Sequence, residues 1–380
     1  MTKFAPQLCF VSSHPIQYQS PIFKEIFKKN KNFYVIFENN FNKNLIFWDK
    51  DFNKKIKWGN DLIKDYNFYI FKKNFFLLSN ILSYISFLKK KKIEIVIISG
   101  WNSFFYILTI LLAKILRIKI ALRCENNYLN CSPLVKIVKK LIFFYFFKLF
   151  YKFYAIGQKN YQMYIDTAVD KKKILITPYC VDENFFSKYK LNKKKLIEIK
   201  KKFFNKNIKT YLFVGKIIER KGYRLLINLA KRLIKNKKIK FKVQIIIIGN
   251  GEKSFFLKNQ IQKHKLTNIK FIEFQSQKQL IYFYYLSDYL ILPSKYETWG
   301  LVANESMSMG TPCIVSDSCG CANDLVLNNN GYIFKNQNEN HLYSIFIKSF
   351  NNKKYKSLKI NALQRVKNYS VKRTVSEILR

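Results

Sequence analysis

Two glutamates with seven residues between them, Glu297 and Glu305, stand in the longest window of this chain without lysine or arginine. The window covers 296–334, and its only acids are Glu297, Glu305, Asp317 and Asp324. Around it the chain carries 69 Lys plus Arg against 23 Asp plus Glu, a formal net charge of +46. Residues 288–292 read as a largely buried strand closed by Pro293 and Ser294. A helix should open near Gly300 and run to Met309, with Gly310 ending it. The free N–H groups at 300–302 would then face the carboxyl end of a sheet, where open α/β folds bind anions. A phosphate there would repel the carboxylates, so Glu297 and Glu305 are better suited to accepting hydrogen bonds from hydroxyl groups, as a sugar or ribose offers. The plainer alternative is an acidic first turn that answers the helix dipole.

The same stretch resembles the retaining nucleotide-sugar glycosyltransferases of family 4, whose signature is a Glu-x-x-Gly-Leu-x-x-x-Glu run. Here it reads Glu297, Gly300, Leu301 and Glu305, continuing into Met309-Gly310-Thr311-Pro312 and Val315-Ser316-Asp317. The resemblance implies the GT-B fold, two Rossmann-like doubly wound α/β domains facing a cleft. It also implies that Glu297 contacts the donor sugar, Glu305 the ribose, and the N–H groups of Gly300 and Leu301 a phosphate. Gly215-Lys216 and Lys221-Gly222 match the family's basic element, whose side chains hold the donor diphosphate. The chemical reason is that breaking a sugar–diphosphate bond develops negative charge on the leaving nucleotide, which positioned cations stabilise. Lys216, Lys221 and Glu297 are therefore the catalytic candidates, and Arg220 is expected to be solvated. By the same resemblance Gly249, Asn250 and Gly251 lie near the nucleotide and its base sits by Phe274 and Gln275. Glu273 stands where the family often keeps glycine. Front-face displacement with retention follows, the leaving phosphate taking the acceptor's proton, with no side-chain nucleophile. No metal and no cofactor are expected, the nucleotide sugar being a substrate. The one Asp-x-Asp, Asp49-Lys50-Asp51, carries its own cation in a lysine-rich segment and reads as a solvated turn.

The elements that must position these groups alternate between strand and helix along the chain, as a parallel sheet requires. The first apolar strand, 8–11, empties into Ser12-Ser13-His14-Pro15-Ile16-Gln17-Tyr18. That loop replaces the family's glycine-rich loop and resembles a subgroup of it. His14 and Gln17 become candidates for the acceptor side; a loop-stiffening role is the alternative. Further strands are expected at 33–37, 93–99 and 118–123, with helices at 21–29, 76–88 and 104–116, while 39–75 reads as irregular. Trp101, Arg123 and Glu125 follow strand ends and join the acceptor-side candidates, against ordinary loop roles. The histidine that many relatives carry near the donor sugar is missing from Ser99-Gly100-Trp101. Residues 133–154 interleave five lysines with Ile, Leu, Phe and Tyr. They read either as a basic amphipathic helix on an anionic membrane or as a helix packed on the sheet with its lysine stems extended.

At 380 residues two domains are the default. The expected division is 1–190 on the acceptor side, 191–365 for the nucleotide sugar, and 366–380 crossing back to the first domain. A lysine-rich helix should bridge near 183–205, after a stretch from Pro178 to Phe186 that resembles the family's interdomain linker. Only 11 residues are glycine, and eight lie between 215 and 331, several just after apolar runs where a strand turns toward a helix. Surplus Lys, Asn, Ile, Phe and Tyr suggests A/T-rich coding, which discounts the charge as a nucleic-acid signal. The charge would still attract anionic lipid, saccharide or nucleotide. Seven scattered cysteines read as reduced thiols in a cytoplasmic protein. No uncharged apolar run is long enough to span a bilayer, and the first residues do not form a signal-peptide core.

The expected activity is sugar transfer from a nucleotide donor to a saccharide or lipid-linked acceptor, in cell-surface glycan synthesis at the cytoplasmic side of a membrane. A GT-B epimerase or phosphorylase is the nearest rival. A glycosidase would use paired carboxylates but has no need of phosphate-binding lysines. A dehydrogenase lacks its third glycine after Gly249-x-Gly251. A nucleic-acid-binding protein would explain the charge and predicts steeply salt-dependent binding.

Overall fold

The computed structural model describes residues 6–38, 46–49, 54–57, 60–71, 78–129, 131–188, 191–236, 239 and 242–380. The chain forms two units, one made of the residues up to Tyr179 together with Val371–Arg380, the other running from Cys180 to Ser370; Asp49–Lys54 groups with the second.

The first unit contains β1 (Leu8–Ser12), α1 (Ser20–Lys29), β2 (Phe33–Phe37), the paired strands β3 (Ile46–Asp49) and β4 (Lys54–Lys57), and β5 (Asn67–Ile70). It continues through α2 (Leu78–Lys90), β6 (Ile95–Ile98), α3 (Phe104–Ile115), β7 (Lys119–Leu122), α4 (Pro133–Phe146), β8 (Lys152–Ala155), α5 (Gln158–Ile165) and β9 (Ile174–Ile176). Its sheet has the order β5-β2-β1-β6-β7-β8-β9, every pairing parallel. The central strands are short unbroken runs such as Leu-Cys-Phe-Val-Ser, buried on both faces because helices cover both sides. Chain order therefore runs outward in one direction from β1 to β5 and in the other from β6 to β9. The reversal between β1 and β6 opens a crevice at their carboxyl ends.

The second unit comprises α6 (Glu183–Lys188), α7 (Lys193–Phe203), β10 (Lys209–Val214), α8 (Tyr223–Lys235), β11 (Val243–Ile248), α9 (Ser254–Lys263), β12 (Ile269–Ile272), α10 (Gln277–Leu286) and β13 (Tyr289–Leu292). After these come α11 (Leu301–Ser308), β14 (Cys313–Ser316), β15 (Gly331–Phe334), α12 (Glu339–Phe350) and α13 (Tyr355–Val366). The strand order is β12-β11-β10-β13-β14-β15, again wholly parallel. Here the reversal falls between β10 and β13, the strands that precede Gly215-Lys216 and the Glu297 stretch. The last helix, α14 (Val371–Ile378), belongs to the first unit, where Tyr154 donates to the carbonyl of Ile378 at 3.0 Å and Thr374 to that of Pro178 at 2.7 Å.

The doubly wound α/β class expected from the sequence is the one observed, with three local differences. The stretch 39–75 is not wholly irregular: β5 forms the edge of the first sheet, and its Asn-Phe-Tyr-Ile is half exposed, so no buried apolar run announces it. The basic helix expected over 133–154 stops at Phe146; a 3-10 turn follows and 152–155 is strand β8. The lysine-rich helix expected near 183–205 folds as two, α6 and α7, both in the second unit. Of the Asp-Lys-Asp triplet only Asp49, the end of β3, is described; Lys50 and Asp51 lie outside the described residues. All seven cysteines are free thiols.

Candidate functional site

In the second unit the chain leaves β10 at Gly215 and returns toward β13 through a 3-10 turn, 219–221. Gly222 then sits in the left-handed region at φ +72°, where a Cβ would lie 1.9 Å from the carbonyl oxygen of Pro293. Glycine is required there, because the turn bearing Lys221 presses directly onto the backbone that follows β13. Lys295 N–H donates to the carbonyl of Arg220 at 2.9 Å, tying the same two segments together. Gly249 repeats the arrangement one strand over: φ is +152° and a Cβ would meet the carbonyl oxygen of Gly215 at 1.8 Å. Asn250 accepts a hydrogen bond from Ile217 N–H at 3.0 Å and its side chain one from Phe274 N–H at 3.3 Å. The backbone thus brings Gly215, Asn250 and Phe274 together at the carboxyl ends of β10, β11 and β12.

The outcome is an ion pair between residues 76 positions apart: Lys221 donates through Nζ to Oε2 of Glu297. Both side chains are largely shielded, 15% and 12% exposed. Arg220 Nη1 stands 3.6 Å from the same carboxylate oxygen and donates to the carbonyl of Tyr296 at 3.1 Å. Arg220 was expected to be solvated; its side chain is 42% exposed but turned onto Glu297. Glu297 itself is fixed by its backbone, donating to Ser318 and accepting from Gly320. Gly300, at φ +103°, precedes α11, and the first N–H groups of that helix have no intrahelical carbonyl to bind.

Glu305 faces different chemistry. It is half-buried on α11, accepting from Tyr284 at 2.7 Å and from Gln277 at 3.0 Å, both on α10. Burial raises its carboxyl above the ordinary range, and the two donors pull it back. The Tyr284 hydroxyl is pushed up in turn by burial and by this carboxylate. The Glu297–Lys221 pair and the Glu305 network were not readable together from the sequence, because Tyr284 and Gln277 carry no motif. Lys216 follows Gly215 and is half-buried. Gln275 donates to the carbonyl of Glu273, whose carboxylate pairs with Lys258 at 3.3 Å.

In the first unit, the β1/β6 reversal holds a cavity of about 380 Å³. Trp101 and Glu125 line it. His14 and Gln17 do not; their neighbours Ser12, Ser13, Ile16, Tyr18 and Gln19 do. His14 Nδ1 instead shares a 2.9 Å hydrogen bond with the hydroxyl of Ser13. Arg123 is also outside the lining: it is buried, reaches Thr177 at 3.4 Å and lies over the ring of Tyr179. Two phenols that the sequence reading did not single out converge on Glu125, Tyr18 at 2.9 Å and Tyr179 closer still.

Residues 194–365 match the family model described as glycosyl transferases group 1. That segment is therefore similar to a group 1 glycosyltransferase domain. An uncharacterized glycosyltransferase of Methanocaldococcus jannaschii is 29% identical over 162 residues, 41% of this chain and 38% of that protein. A second uncharacterized glycosyltransferase of that organism is 27% identical over 43% of this chain and 45% of its own length, so the chain spans less than half of these curated relatives. Among solved structures, a glycosyltransferase from Rickettsia africae superposes with a TM-score of 0.74 at 18% identity, over 98% of this chain and 96% of the other. HepE of Anabaena in complex with UDP gives 0.74 at 14%, over 98% of each. At those identities the likeness shows the fold, and the fold is GT-B.

Proposed function

We propose that the protein transfers a sugar from a nucleoside-diphosphate donor to a hydroxyl of a saccharide or lipid-linked acceptor, with retention and without a metal ion. The observation that carries this reading is the Lys221–Glu297 pair at the β10/β13 reversal of a segment similar to a group 1 glycosyltransferase domain. A lysine ammonium has three donors, so Lys221 can keep Glu297 and give a further N–H to a donor phosphate. Glu297 has lone pairs left for sugar hydroxyls, and the Lys221 ammonium offsets its repulsion of the incoming phosphate. As the anomeric C–O bond breaks, negative charge grows on the leaving diphosphate, where Lys221, Lys216 and the N–H groups of Gly300 and Leu301 stabilise it. The acceptor oxygen forms the new bond on the same face, and its proton passes to the leaving phosphate. Glu305 is assigned to the ribose, with Gly215, Gly249, Asn250, Gly251, Phe274 and Gln275 around the nucleotide. HepE was crystallised with UDP, which makes uracil the first base to try.

The acceptor side is assigned to the first unit, through Trp101 and Glu125, with His14, Gln17 and Arg123 as further candidates outside the cavity lining. A cytoplasmic site on an anionic membrane surface, reached through α4, and a role in cell-surface glycan synthesis complete the reading. Among the described residues no helix is long and apolar enough to cross a membrane.

Calorimetric titration with UDP-, GDP- and ADP-sugars tests it: one donor should bind, and Lys221→Ala should weaken that binding while cutting turnover by about 10²–10³-fold. Glu297→Ala should lose turnover with its fold intact. Ordinary rates in either variant would remove the assignment.

A further inference from the structure

The cavity in the first unit has an electrostatic character opposite to that of the chain. It is bounded by the carboxyl ends of β1, β6 and β7 and by the start of α3, and two of its lining residues are glutamates, Glu38 and Glu125. Among the described residues that line it there is no lysine or arginine, in a chain that has 69. The other polar walls are hydroxyls and amides held by neighbours rather than by cations. Ser12 donates to Gln19 at 2.9 Å, Ser99 to the carbonyl of Val11 at 2.7 Å, and Tyr106 to Ser99 at 3.5 Å. Trp101 lines it together with Tyr18 and Tyr106, and is braced edge-on against Phe143 at 5.2 Å and Phe146 at 5.5 Å. The cationic Arg123 is turned away toward Thr177 and the ring of Tyr179.

The volume lies at the lower end of the range for small-molecule sites, about 300–1,000 Å³. Carboxylates accept hydrogen bonds from hydroxyls and ammonium groups, and an aromatic wall fits the C–H face of a sugar ring. The same carboxylates repel phosphate, uronate or sialate groups, and in a partly enclosed site that repulsion is weakly screened.

Resting on the function proposed above, we propose that this cavity takes the reacting end of the acceptor, and that Glu38 and Glu125 restrict it to a sugar that is neutral or carries an amine. Glu38 and Glu125 are then specificity-determining residues, and an anionic sugar is refused even though the protein's overall charge would draw it in. Burial raises the Glu38 carboxyl, with Ser103 opposing through a hydrogen bond, so the discrimination sharpens as pH rises and Glu38 ionises fully.

The test uses the full chain and three probes: methyl β-glucoside, methyl β-glucosaminide and methyl β-glucuronide, followed by saturation-transfer NMR at pH 6 and pH 8. The first two should bind, and the glucuronide should bind at least about tenfold more weakly. Glu38→Gln should narrow that gap, most at pH 8. Glu125→Gln is the second variant, checked for folding by circular dichroism because Tyr18 and Tyr179 lean on it. Equal binding of the glucuronide, an unchanged gap in Glu38→Gln, or no binding of any probe would overturn the inference. Calorimetry with UDP on the same samples reports the second unit separately. UDP binding without glycoside discrimination sinks only this inference, whereas loss of all nucleotide binding sinks the donor reading.

Discussion

Glu297 and Glu305 look alike in the sequence and are held in opposite ways. Glu297 is neutralised by Lys221 with Arg220 close by, whereas Glu305 sits among neutral donors and is raised by burial. The difference has a measurable sign. In the folded chain Glu305 holds its proton above its ordinary value of 4.5. Its contribution to stability is complete below that value and is lost as pH rises through the folded one. Tyr284 donates to the carboxylate and opposes the shift, so Tyr284→Phe should push Glu305 higher still. An ionised, partly buried carboxylate deprived of one donor costs about 1–3 kcal/mol at most, and a protonated one costs less. The gap in Tm between wild type and Tyr284→Phe should therefore widen from pH 4 to pH 8 in thermal unfolding. Glu38 and Asp288, also raised by burial, titrate in both proteins and cancel in the difference. Glu219, drawn down to about 2 chiefly by Arg224, acts only at lower pH. A gap that stayed constant across the range would show that Tyr284 does not act through the charge of Glu305.

At the scale of elements, the sequence was most legible where glycine is scarce and obligatory. Gly215, Gly222, Gly249, Gly300 and Gly310 each stand where a strand or helix begins or ends, and four of them have positive φ. The exception, Gly215, still lies under the backbone of Gly249. Apolar strand runs and the helix expected at 104–116 were equally plain. Illegible were features made only by tertiary contact: the edge strand β5, the turn of Arg220 onto Glu297, and the two phenols on Glu125, whose partners lie 54 and 107 residues away. Gly222 tests the element-level claim. Alanine there must adopt φ +72° and move the backbone of Pro293. The strain should cost about 2 kcal/mol or more, lowering the Tm of a unit this size by about 4–8 °C. Because the same turn carries Lys221, Gly222→Ala should also weaken donor binding at temperatures where the fold persists. Calorimetry beside a melting curve separates the two effects, and a variant with lowered Tm but unchanged affinity would show that the turn does not position the lysine.

Over the whole molecule, a net charge of +46 needs a partner or a background explanation, and α4 bears on the choice. Were α4 a helix packed on the sheet with lysine stems spread over it, its apolar residues would be buried. They are not: Leu134, Ile137, Leu141 and Tyr145 are each more than 60% exposed, and Phe143 is the buried residue of the helix. Lys136 and Lys140 fold back toward Asp166 at 3.5 and 3.3 Å, leaving the apolar ridge uncovered. A ridge of this kind, at i, i+3, i+7 and i+11 with lysines flanking it, has the form of a helix that lies in a membrane interface. Vesicles containing phosphatidylglycerol should therefore sediment the protein, and vesicles of phosphatidylcholine alone should do so weakly, with salt weakening the anionic case. Ile137→Asp with Leu141→Asp should cost about 3 kcal/mol or more of insertion, at least about a hundredfold in partitioning. Since both side chains already face solvent, the double variant should melt within about 2 °C of wild type. Charge alone would predict the reverse pattern, in which replacing lysines elsewhere on the surface abolishes sedimentation and the apolar pair is immaterial. Undiminished binding by Ile137→Asp/Leu141→Asp would assign the charge to the background composition of the chain and leave α4 without a membrane role.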